Sequence, residues 1–295
     1  MPAKKPNPPK QIVYLNGKYM SADAAKISIF DRGFLMADSV YDLTAVVDGR
    51  LLAFNEHIDR LQTSLKALDI TYAIDRDHLL AIHHKLIKDN NLECGGVYIQ
   101  ISSGNPGERD FVQPDPEVVP PTCVMFTVTR PHPDHRPDVA RGWRIISVPD
   151  FRWRWRHIKT TQLTYQSLVK TEATTRGYDD AWLVEEGFVT EGTSNNAYIV
   201  KDGVIITRQL SHDILHGITR AALLAYAVQH NLTVTERPFT IAEAQNADEA
   251  FITSAATFVT PVVEIDDKRV AGGKPGKHAN ALRKIYLAES LKTAL

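Results

Sequence analysis

Cysteine is scarce in this chain. Its 295 residues include two cysteines, Cys94 and Cys123, too few for a disulfide framework and without the spacing typical of a metal-ligand cluster. We interpret them as two small buried thiols in a reducing compartment, which predicts a cytoplasmic protein without a structural metal.

Net charge and long apolar runs are also missing. The 34 basic and 35 acidic residues leave a net charge of −1, so no field attracts nucleic acid or an anionic membrane. No apolar run reaches the length of a membrane span. Residues 1–10 are rich in proline and lysine and lack the apolar core of a signal peptide, which predicts a flexible arm.

The first part of the chain predicts strands, hairpins and a helix. The turn dipeptides Asn16-Gly17 and Asp48-Gly49 each separate two short stretches of strand-forming residues. Apolar residues from Ile58 to Leu68 recur at three- and four-residue spacing, which predicts a helix with one buried stripe from about residue 55. The strands flanking the second turn are predicted at 40–47 and 50–54, with further strands at 97–101 and 123–128.

The second part predicts more hairpins and two helices. Gly177 is placed to end a helix predicted over 160–176. Another helix is predicted from about 217 through 229. The predicted strands lie at 143–148, 181–184, 188–190, 197–200 and 204–207.

Residues 130–142 change character. Prolines at Pro131, Pro133 and Pro137 withhold backbone donors and bias the preceding residues away from helix. This pattern predicts either a linker between domains or a long surface loop inside one domain.

One lysine and one carboxylate suggest the chemistry. Lys159 is followed 32 positions later by Glu191, which stands in a stretch rich in Gly, Thr, Ser and Asn. A pyridoxal phosphate enzyme needs a lysine for the Schiff base with the aldehyde and a carboxylate to keep the ring nitrogen protonated. A surface lysine and a simple turn carboxylate are the alternatives.

Five ordered motifs place these two residues in a wider context. The chain resembles the fold-type IV pyridoxal phosphate enzymes, which include D-amino acid transaminases, branched-chain aminotransferases, (R)-amine transaminases and aminodeoxychorismate lyases. The motifs are Tyr14-Leu15-Asn16-Gly17, Asn55-Glu56-His57-Ile58-Asp59-Arg60-Leu61, the Lys159 and Glu191 segments, Leu215-His216-Gly217-Ile218-Thr219-Arg220, and Thr253-Ser254-Ala255-Ala256-Thr257.

The resemblance implies an α+β fold of two domains, a small N-terminal α/β domain and a larger C-terminal pseudo-barrel domain. It favours the linker interpretation of the proline-rich stretch, with the cofactor in the cleft between the domains. The boundaries are then an arm over 1–10, a small domain over 11–130, a linker over 131–137 and a cofactor domain over 138–295. The resemblance also implies a homodimer.

The resemblance also implies residues that hold the cofactor. Lys159 would carry pyridoxal 5'-phosphate and serve as catalytic base, with Glu191 as partner of the ring nitrogen. The phosphate contacts would come from Arg60, from the helix start at Ile218 and Thr219, and from Ser254 and Ala255. Relatives often have a threonine in place of Ala255, so that contact would be made by the backbone. The alternatives are an ion pair of Arg60 with Asp59 or Glu56, and a strand-end cap for Ser254.

Two residues are candidates for substrate binding. Tyr41 matches a family tyrosine that faces the substrate, although a core tyrosine on a half-buried strand would look the same. Arg109 lies in a loop where D-amino acid transaminases carry an Arg-x-His pair, but no histidine follows it. A solvated arginine beside Glu108 and Asp110 is the alternative. Thr164 stands where branched-chain enzymes carry a tyrosine.

The leading hypothesis is a ping-pong aminotransferase that uses a D-amino acid or (R)-amine as donor and a 2-oxo acid as acceptor. A branched-chain L-amino acid aminotransferase and an aminodeoxychorismate lyase are the alternatives on the same scaffold. A scaffold that has lost its cofactor is a further alternative, which the presence of Lys159, Glu191 and Arg60 opposes.

Overall fold

The computed structural model describes residues 11–295, so the arm predicted over residues 1–10 lies outside the described part. Helices and strands are mixed, which agrees with the predicted α+β class. The chain divides into two compact units. The first holds the described residues up to His132 together with Lys159–Thr161 and Leu295, and the second holds Pro133–Ile158 and Gln162–Ala294. The interpretation of 131–137 as a linker stays a prediction.

The first unit is built on one antiparallel sheet. Its six strands follow the order β2-β1-β6-β5-β3-β4. Within residues 11–132 the elements are β1 Ile12–Leu15, β2 Lys18–Ser21, α1 Arg32–Met36, β3 Ser39–Val47, β4 Arg50–Leu51, α2 Phe54–Ala67, α3 Arg76–Asp89, β5 Gly95–Ser102 and β6 Thr122–Thr129.

Two predicted turns and one predicted helix are confirmed in this unit. Asn16-Gly17 and Asp48-Gly49 all have positive φ, as tight two-residue hairpin turns require. Helix α2 buries the predicted stripe at Ile58, Leu61 and Leu65. The strand predicted over 50–54 is too long, because Ala53 adopts a left-handed conformation and the helix begins at the next residue.

The second unit is built on a larger mixed sheet. Its strand order is β12-β11-β10-β13-β14-β7-β8-β9, and β15 pairs with β14. Its elements, besides a 3-10 helix at Ala271–Gly273, are α4 Pro137–Arg141, β7 Trp143–Pro149, α5 Thr164–Thr175, β8 Asp180–Glu185, β9 Phe188–Gly192, β10 Asn196–Lys201, β11 Val204–Thr207, α6 Ile218–Gln229, β12 Val234–Glu236, α7 Ile241–Gln245, β13 Glu249–Ser254, β14 Phe258–Ile265, β15 Lys268–Arg269 and α8 Lys277–Lys292. Between residues 11 and 295, every helix is too short or too polar to cross a membrane.

This second sheet curls back on itself. Strand β9 lies at one end of the strand order, yet a tight turn joins it directly to β10 near the other end, closed by a hydrogen bond from Gly192 N to Asn195 O of 2.8 Å. The arrangement agrees with the predicted pseudo-barrel. Both hairpins predicted in this part of the chain are confirmed.

Helix α5 begins four residues later than predicted. Thr160 forms an antiparallel bridge with Val40, and Thr161 N donates to Ser39 O at 3.1 Å. These residues are extended because they pair with β3, so the helix starts only at Thr164. Its predicted end at Gly177 is confirmed, where the positive φ of 83° suits glycine.

Candidate active site

Lys159 is anchored to the first unit through its backbone. Its carbonyl accepts a hydrogen bond from Tyr41 N at 3.0 Å, and its N–H donates to Ser64 Oγ at 3.2 Å. The first contact comes from strand β3 and the second from helix α2. The base of the lysine side chain is therefore fixed by regular elements rather than by a loop.

The amine of Lys159 lies against Tyr41. Lys159 Nζ is 3.3 Å from the Tyr41 hydroxyl and 4.4 Å from the centroid of its ring. The ring of Tyr41 stacks on Tyr98, and Tyr98 stacks on Phe126, with centroid distances of 5.3 and 4.6 Å. The stack restrains the ring, so the hydroxyl is held at the amine. This contact favours a site role for Tyr41 over that of a plain core residue.

Arg60 is paired with a carboxylate that neither sequence alternative named. Its Nε and Nη2 donate to the two oxygens of Asp42, each at 2.8 Å. Asp59, one of the predicted partners, instead pairs with Arg76. His57 Nδ1 also lies 2.7 Å from Asp42 Oδ1. Asp42 therefore orients both the arginine and the histidine that the same helix carries.

Asp42 is ionised in this arrangement. Burial by itself would raise the pKa of its carboxyl, but the charges and hydrogen bonds of Arg60 and His57 outweigh burial and hold the pKa far below its usual range. Burial lowers the pKa of His57. The ion pair with Asp42 orients the Arg60 guanidinium.

Glu191 lies in strand β9 of the second unit and is 3% exposed. Its Oε1 accepts from Arg152 Nη1 at 2.6 Å, while Oε2 accepts from Asn196 Nδ2 at 3.1 Å and from Leu215 N at 3.0 Å. Burial raises the pKa of Glu191, against the opposing charge of Arg152. Glu191 is thus a buried, fully oriented acid and no solvated turn residue.

Arg152 contacts the candidate residue Glu191 and was not predicted from the sequence. Its Nη2 donates to Asp150 at 2.7 Å, so it bridges two buried carboxylates, Asp150 and Glu191. In the sequence, only the alternation of Arg and Trp over residues 152–156 draws attention to this arginine. Its contact with Glu191 spans 39 positions of the chain, which no local pattern reveals.

No side chain caps the start of helix α6. Its N-cap, Gly217, makes no side-chain capping bond, so the first-turn N–H groups at Ile218 and Thr219 are not satisfied by a cap. A Cβ on Gly217 would meet Asn196 Oδ1 at 2.1 Å, so only glycine fits there. Thr219 is buried.

Ser254 and Ala255 form the turn after β13. The Ser254 hydroxyl accepts from Thr257 N at 3.1 Å and lies 2.9 Å from Thr257 Oγ1. Ser254 therefore caps this turn, as the sequence alternative anticipated. If the Ser254 hydroxyl also bound the phosphate, it would do so while hydrogen-bonded to Thr257.

Arg109 lies on an exposed loop, where its guanidinium packs 4.7 Å from the centroid of the Phe111 ring. The loop is tied down by Arg32, whose Nη1 donates to the carbonyls of Asp110 and Val112 at 2.6 and 3.1 Å. Arg32 is buried and was also missed from sequence. Its hold on the loop backbone limits how far Arg109 can move.

Comparisons with known proteins agree over most of the chain. The family model described as amino-transferase class IV matches residues 39–265. A D-alanine aminotransferase of Listeria monocytogenes serotype 4b (strain F2365) is 33% identical over 277 residues, which cover 94% of this chain and 95% of the relative. A D-alanine aminotransferase of Staphylococcus aureus (strain COL) is 36% identical over 267 residues, which cover 90% and 92%.

Solved structures with the same fold are more distant in sequence. A branched-chain amino acid aminotransferase of T.th. with pyridoxamine 5'-phosphate has a TM-score of 0.87 at 24% identity, covering 97% of this chain and 98% of the other. The Thermoproteus uzoniensis branched-chain aminotransferase with norvaline has a TM-score of 0.84 at 23% identity, covering 96% and 95%. At this level of identity the likeness establishes the fold.

Proposed function

Since the chain belongs to the class IV aminotransferases, which depend on pyridoxal phosphate, we propose that it moves an amino group between a D-amino acid and a 2-oxo acid by a ping-pong mechanism. The observation that carries the D-amino acid assignment is the similarity to two D-alanine aminotransferases over nine tenths of each chain. A homodimer in the cytoplasm completes the proposal.

Several of the side chains described above suit this cofactor. Lys159 offers an amine whose hydrogen-bond partner is the Tyr41 hydroxyl. The uncapped start of α6 offers N–H groups to a phosphate, with a glycine where a side chain would not fit. Glu191 is a buried carboxylate already oriented by three donors, which suits the partner of a protonated ring nitrogen.

Each residue then has a role. When bound, the cofactor supplies a protonated ring that withdraws electrons from the substrate α-carbon. Lys159 Nζ would carry the aldehyde carbon and, once displaced by substrate, move a proton from the α-carbon. The Tyr41 hydroxyl would orient that amine, and Glu191 would hold the proton on the ring nitrogen.

The phosphate would be held by the remaining predicted residues. The Arg60 guanidinium, oriented by Asp42, would supply permanent charge, and Ile218 and Thr219 would supply the helix start. Ala255 would contribute its backbone N–H, with Ser254 beside it. This assignment of the phosphate contacts is supported by the uncapped start of helix α6 and by the buried ion pair of Arg60 with Asp42.

A second candidate is an (R)-amine transaminase. It is favoured by Arg109, which faces solvent beside Phe111 and has no histidine two positions later. The Arg-x-His pair that would bind a substrate carboxylate strongly is therefore incomplete. The branched-chain alternative is opposed by Thr164, which begins helix α5 in place of the tyrosine of that subfamily.

A donor panel tests the proposal. The holoenzyme is mixed with D-alanine, L-leucine or (R)-1-phenylethylamine without acceptor, and the keto product is measured against the enzyme concentration. We expect pyruvate in an amount equal to the active sites, followed by turnover when 2-oxoglutarate is added. Faster reaction with L-leucine would contradict the D-amino acid assignment, and pyruvate release without any need for an acceptor would indicate a lyase.

Lys159→Ala should abolish both the single turnover and the visible absorption of the lysine-bound cofactor. Lys66→Ala, at an exposed position of helix α2, is the matched control and should leave both unchanged. Turnover close to that of the wild type in Lys159→Ala would remove the lysine from the mechanism.

A further inference from the structure

Three side chains with no role in the proposed reaction bring ligand atoms together in the first unit. A carboxylate oxygen of Asp48, the sulfur of Cys94 and a ring nitrogen of His132 all lie within 4.8 Å of one another. His132 Nε2 is 3.3 Å from Asp48 Oδ1. Cys94 is buried, whereas Asp48 reaches solvent, so the group has a closed side and an open side. Sequence spacing gave no reason to expect this grouping.

Backbone hydrogen bonds fix the three segments that carry these side chains. Asp48 is the first residue of the turn between β3 and β4, and the next residue, Gly49, donates its N–H to Glu93 O at 2.9 Å. Arg130 N donates to Cys94 O at 3.0 Å, two residues before His132. The side chains therefore converge because the main chain places them, which is the preorganisation that a ligand site needs.

We propose that Asp48, Cys94 and His132 form a binding site for Zn²⁺ or a similar thiophilic divalent cation. One thiolate, one imidazole and one carboxylate are ligands that zinc accepts, and three protein ligands leave the fourth tetrahedral position to water. Metal–ligand distances of about 2.0 to 2.3 Å place tetrahedral ligand atoms roughly 3.3 to 3.7 Å apart. The contact between His132 and Asp48 already has that length. The sulfur lies within 4.8 Å of both atoms and would have to move closer on binding.

The charges around the thiol suit a cation. The carboxylates of Asp48 and Glu93 act electrostatically on the thiol of Cys94, and the same two carboxylates attract a divalent ion. On binding, the thiol proton leaves to solvent and the sulfur becomes a metal-bound thiolate.

An ion pair between Asp48 and His132 is the simpler explanation. Such a pair at a partly exposed site contributes little free energy and makes no use of a thiol. The two explanations differ in one measurable way, since the ion pair predicts no dependence of metal affinity on Cys94.

The experiment is a Zn²⁺ titration of the holoenzyme in competition with a chromophoric chelator. We expect one Zn²⁺ per chain, with affinity lowered at least tenfold in Cys94→Ser, Asp48→Asn and His132→Gln. Asp48→Asn suits the fold because asparagine tolerates the positive φ of 52° at this position. Cys123→Ser and His135→Gln are the matched controls and should bind Zn²⁺ as the wild type does. Co²⁺ in place of Zn²⁺ should give a thiolate-to-metal absorption band that Cys94→Ser lacks.

Three outcomes would overturn the site. The first is the absence of Zn²⁺ binding by the wild type at about 100 μM metal. The second is an affinity for Zn²⁺ in all three ligand variants equal to that of the wild type. The third is loss of binding only in His212→Gln, which would place the metal on the pair of His212 and His157, whose ring nitrogens lie 3.0 Å apart. Transaminase activity is not the readout, so failure here leaves the proposed function intact.

Discussion

At the scale of single residues, the orientation of the Glu191 carboxylate is fixed by three hydrogen-bond donors. Among these donors only Arg152 carries a charge. A buried acid whose pKa is raised gains most from a further positive neighbour. A protonated ring nitrogen is such a neighbour, which explains why this carboxyl, rather than an exposed one, suits the proposed role.

Glu191→Gln should lower turnover by about 10²–10³-fold, because an amide cannot stabilise the proton on the ring nitrogen. The cofactor should stay bound, since Lys159 and the proposed phosphate contacts are unchanged. Single-turnover rates with D-alanine and absorbance after gel filtration measure the two effects separately. Glu186→Gln, in an exposed turn, is the control. A normal rate after addition of cofactor would reduce Glu191 to a packing residue.

Arg109→Ala should raise KM for D-alanine and leave the reaction of (R)-1-phenylethylamine nearly unchanged. A guanidinium can pair with a carboxylate, and the amine has none. Steady-state kinetics on both donors give the comparison, with the exposed Arg176→Ala as control. Equal losses on both donors would show that Arg109 orders the loop, and no loss on either would make it a surface residue.

The sequence predicted only those residues of the candidate site that lie within a recognised motif. Lys159 and Tyr41 were both proposed, and the structure brings the amine to the hydroxyl. Asp42 was missed although it adjoins Tyr41, because its partner Arg60 is 18 positions away and Asp59 is next to that arginine. Ion pairs between separate elements depend on how those elements pack, and proximity in sequence points to the wrong acid.

At the scale of elements, the hairpins were predictable and some helices were not. Turn dipeptides such as Asn16-Gly17 encode their conformation locally. The start of α5 was wrong because pairing with β3 overrides local helix preference at 160–161. Helices α3 and α8 went unrecognised because polar residues interrupt their buried stripes, His83 in the first and Ser290 in the second.

Buried His83 should make the stability of the first unit depend on pH. Burial lowers its pKa from 6.5 to about 4, since Nε2 has no hydrogen-bond partner and only Nδ1 donates, to Leu79 O. Between pH 6.5 and pH 4 the unfolded chain therefore binds the extra proton, so the free energy of unfolding falls as the pH falls through this window. A shift of this size corresponds to about 3 kcal/mol.

His83→Leu should reduce this loss. Urea unfolding at pH 7 and at pH 4 gives the difference for the wild type and the variant. His78→Leu, exposed on the same helix, is the control and should keep the full pH dependence. Burial also lowers the pKa of His57, so part of the loss remains in the variant. An unchanged pH dependence in His83→Leu would contradict the assignment.

At the scale of the whole molecule, the segment before and within α1 exposes several apolar side chains. Ile29 and Phe34 are 67% and 66% exposed, and Ile27 and Phe30 are exposed beside them in sequence. Exposed apolar groups that cluster in this way mark interaction surfaces. A second copy of the chain is the partner that the proposed homodimer supplies.

Light scattering at micromolar concentration should give twice the chain mass of 33.0 kDa. Ile29→Glu and Phe34→Glu should shift the mass toward that of one chain, because a charge at an apolar interface is costly. Leu168→Glu, at another exposed apolar position, should leave the dimer intact. A single-chain mass with full activity would exclude the dimer.

The pairing of β3 with the segment that carries Lys159 also bears on how the protein is made. Ser39 and Thr161 meet across 122 positions of the chain. Closing a flexible loop of this length costs about 4 kcal/mol of chain entropy, and such distant contacts form slowly. At synthesis rates of about 5–20 residues per second, β3 leaves the ribosome roughly 6 to 25 s before its partner segment. If Lys159 carries the cofactor as proposed, covalent loading with pyridoxal phosphate requires synthesis of more than half of the chain, and a chain halted before that point would stay colourless.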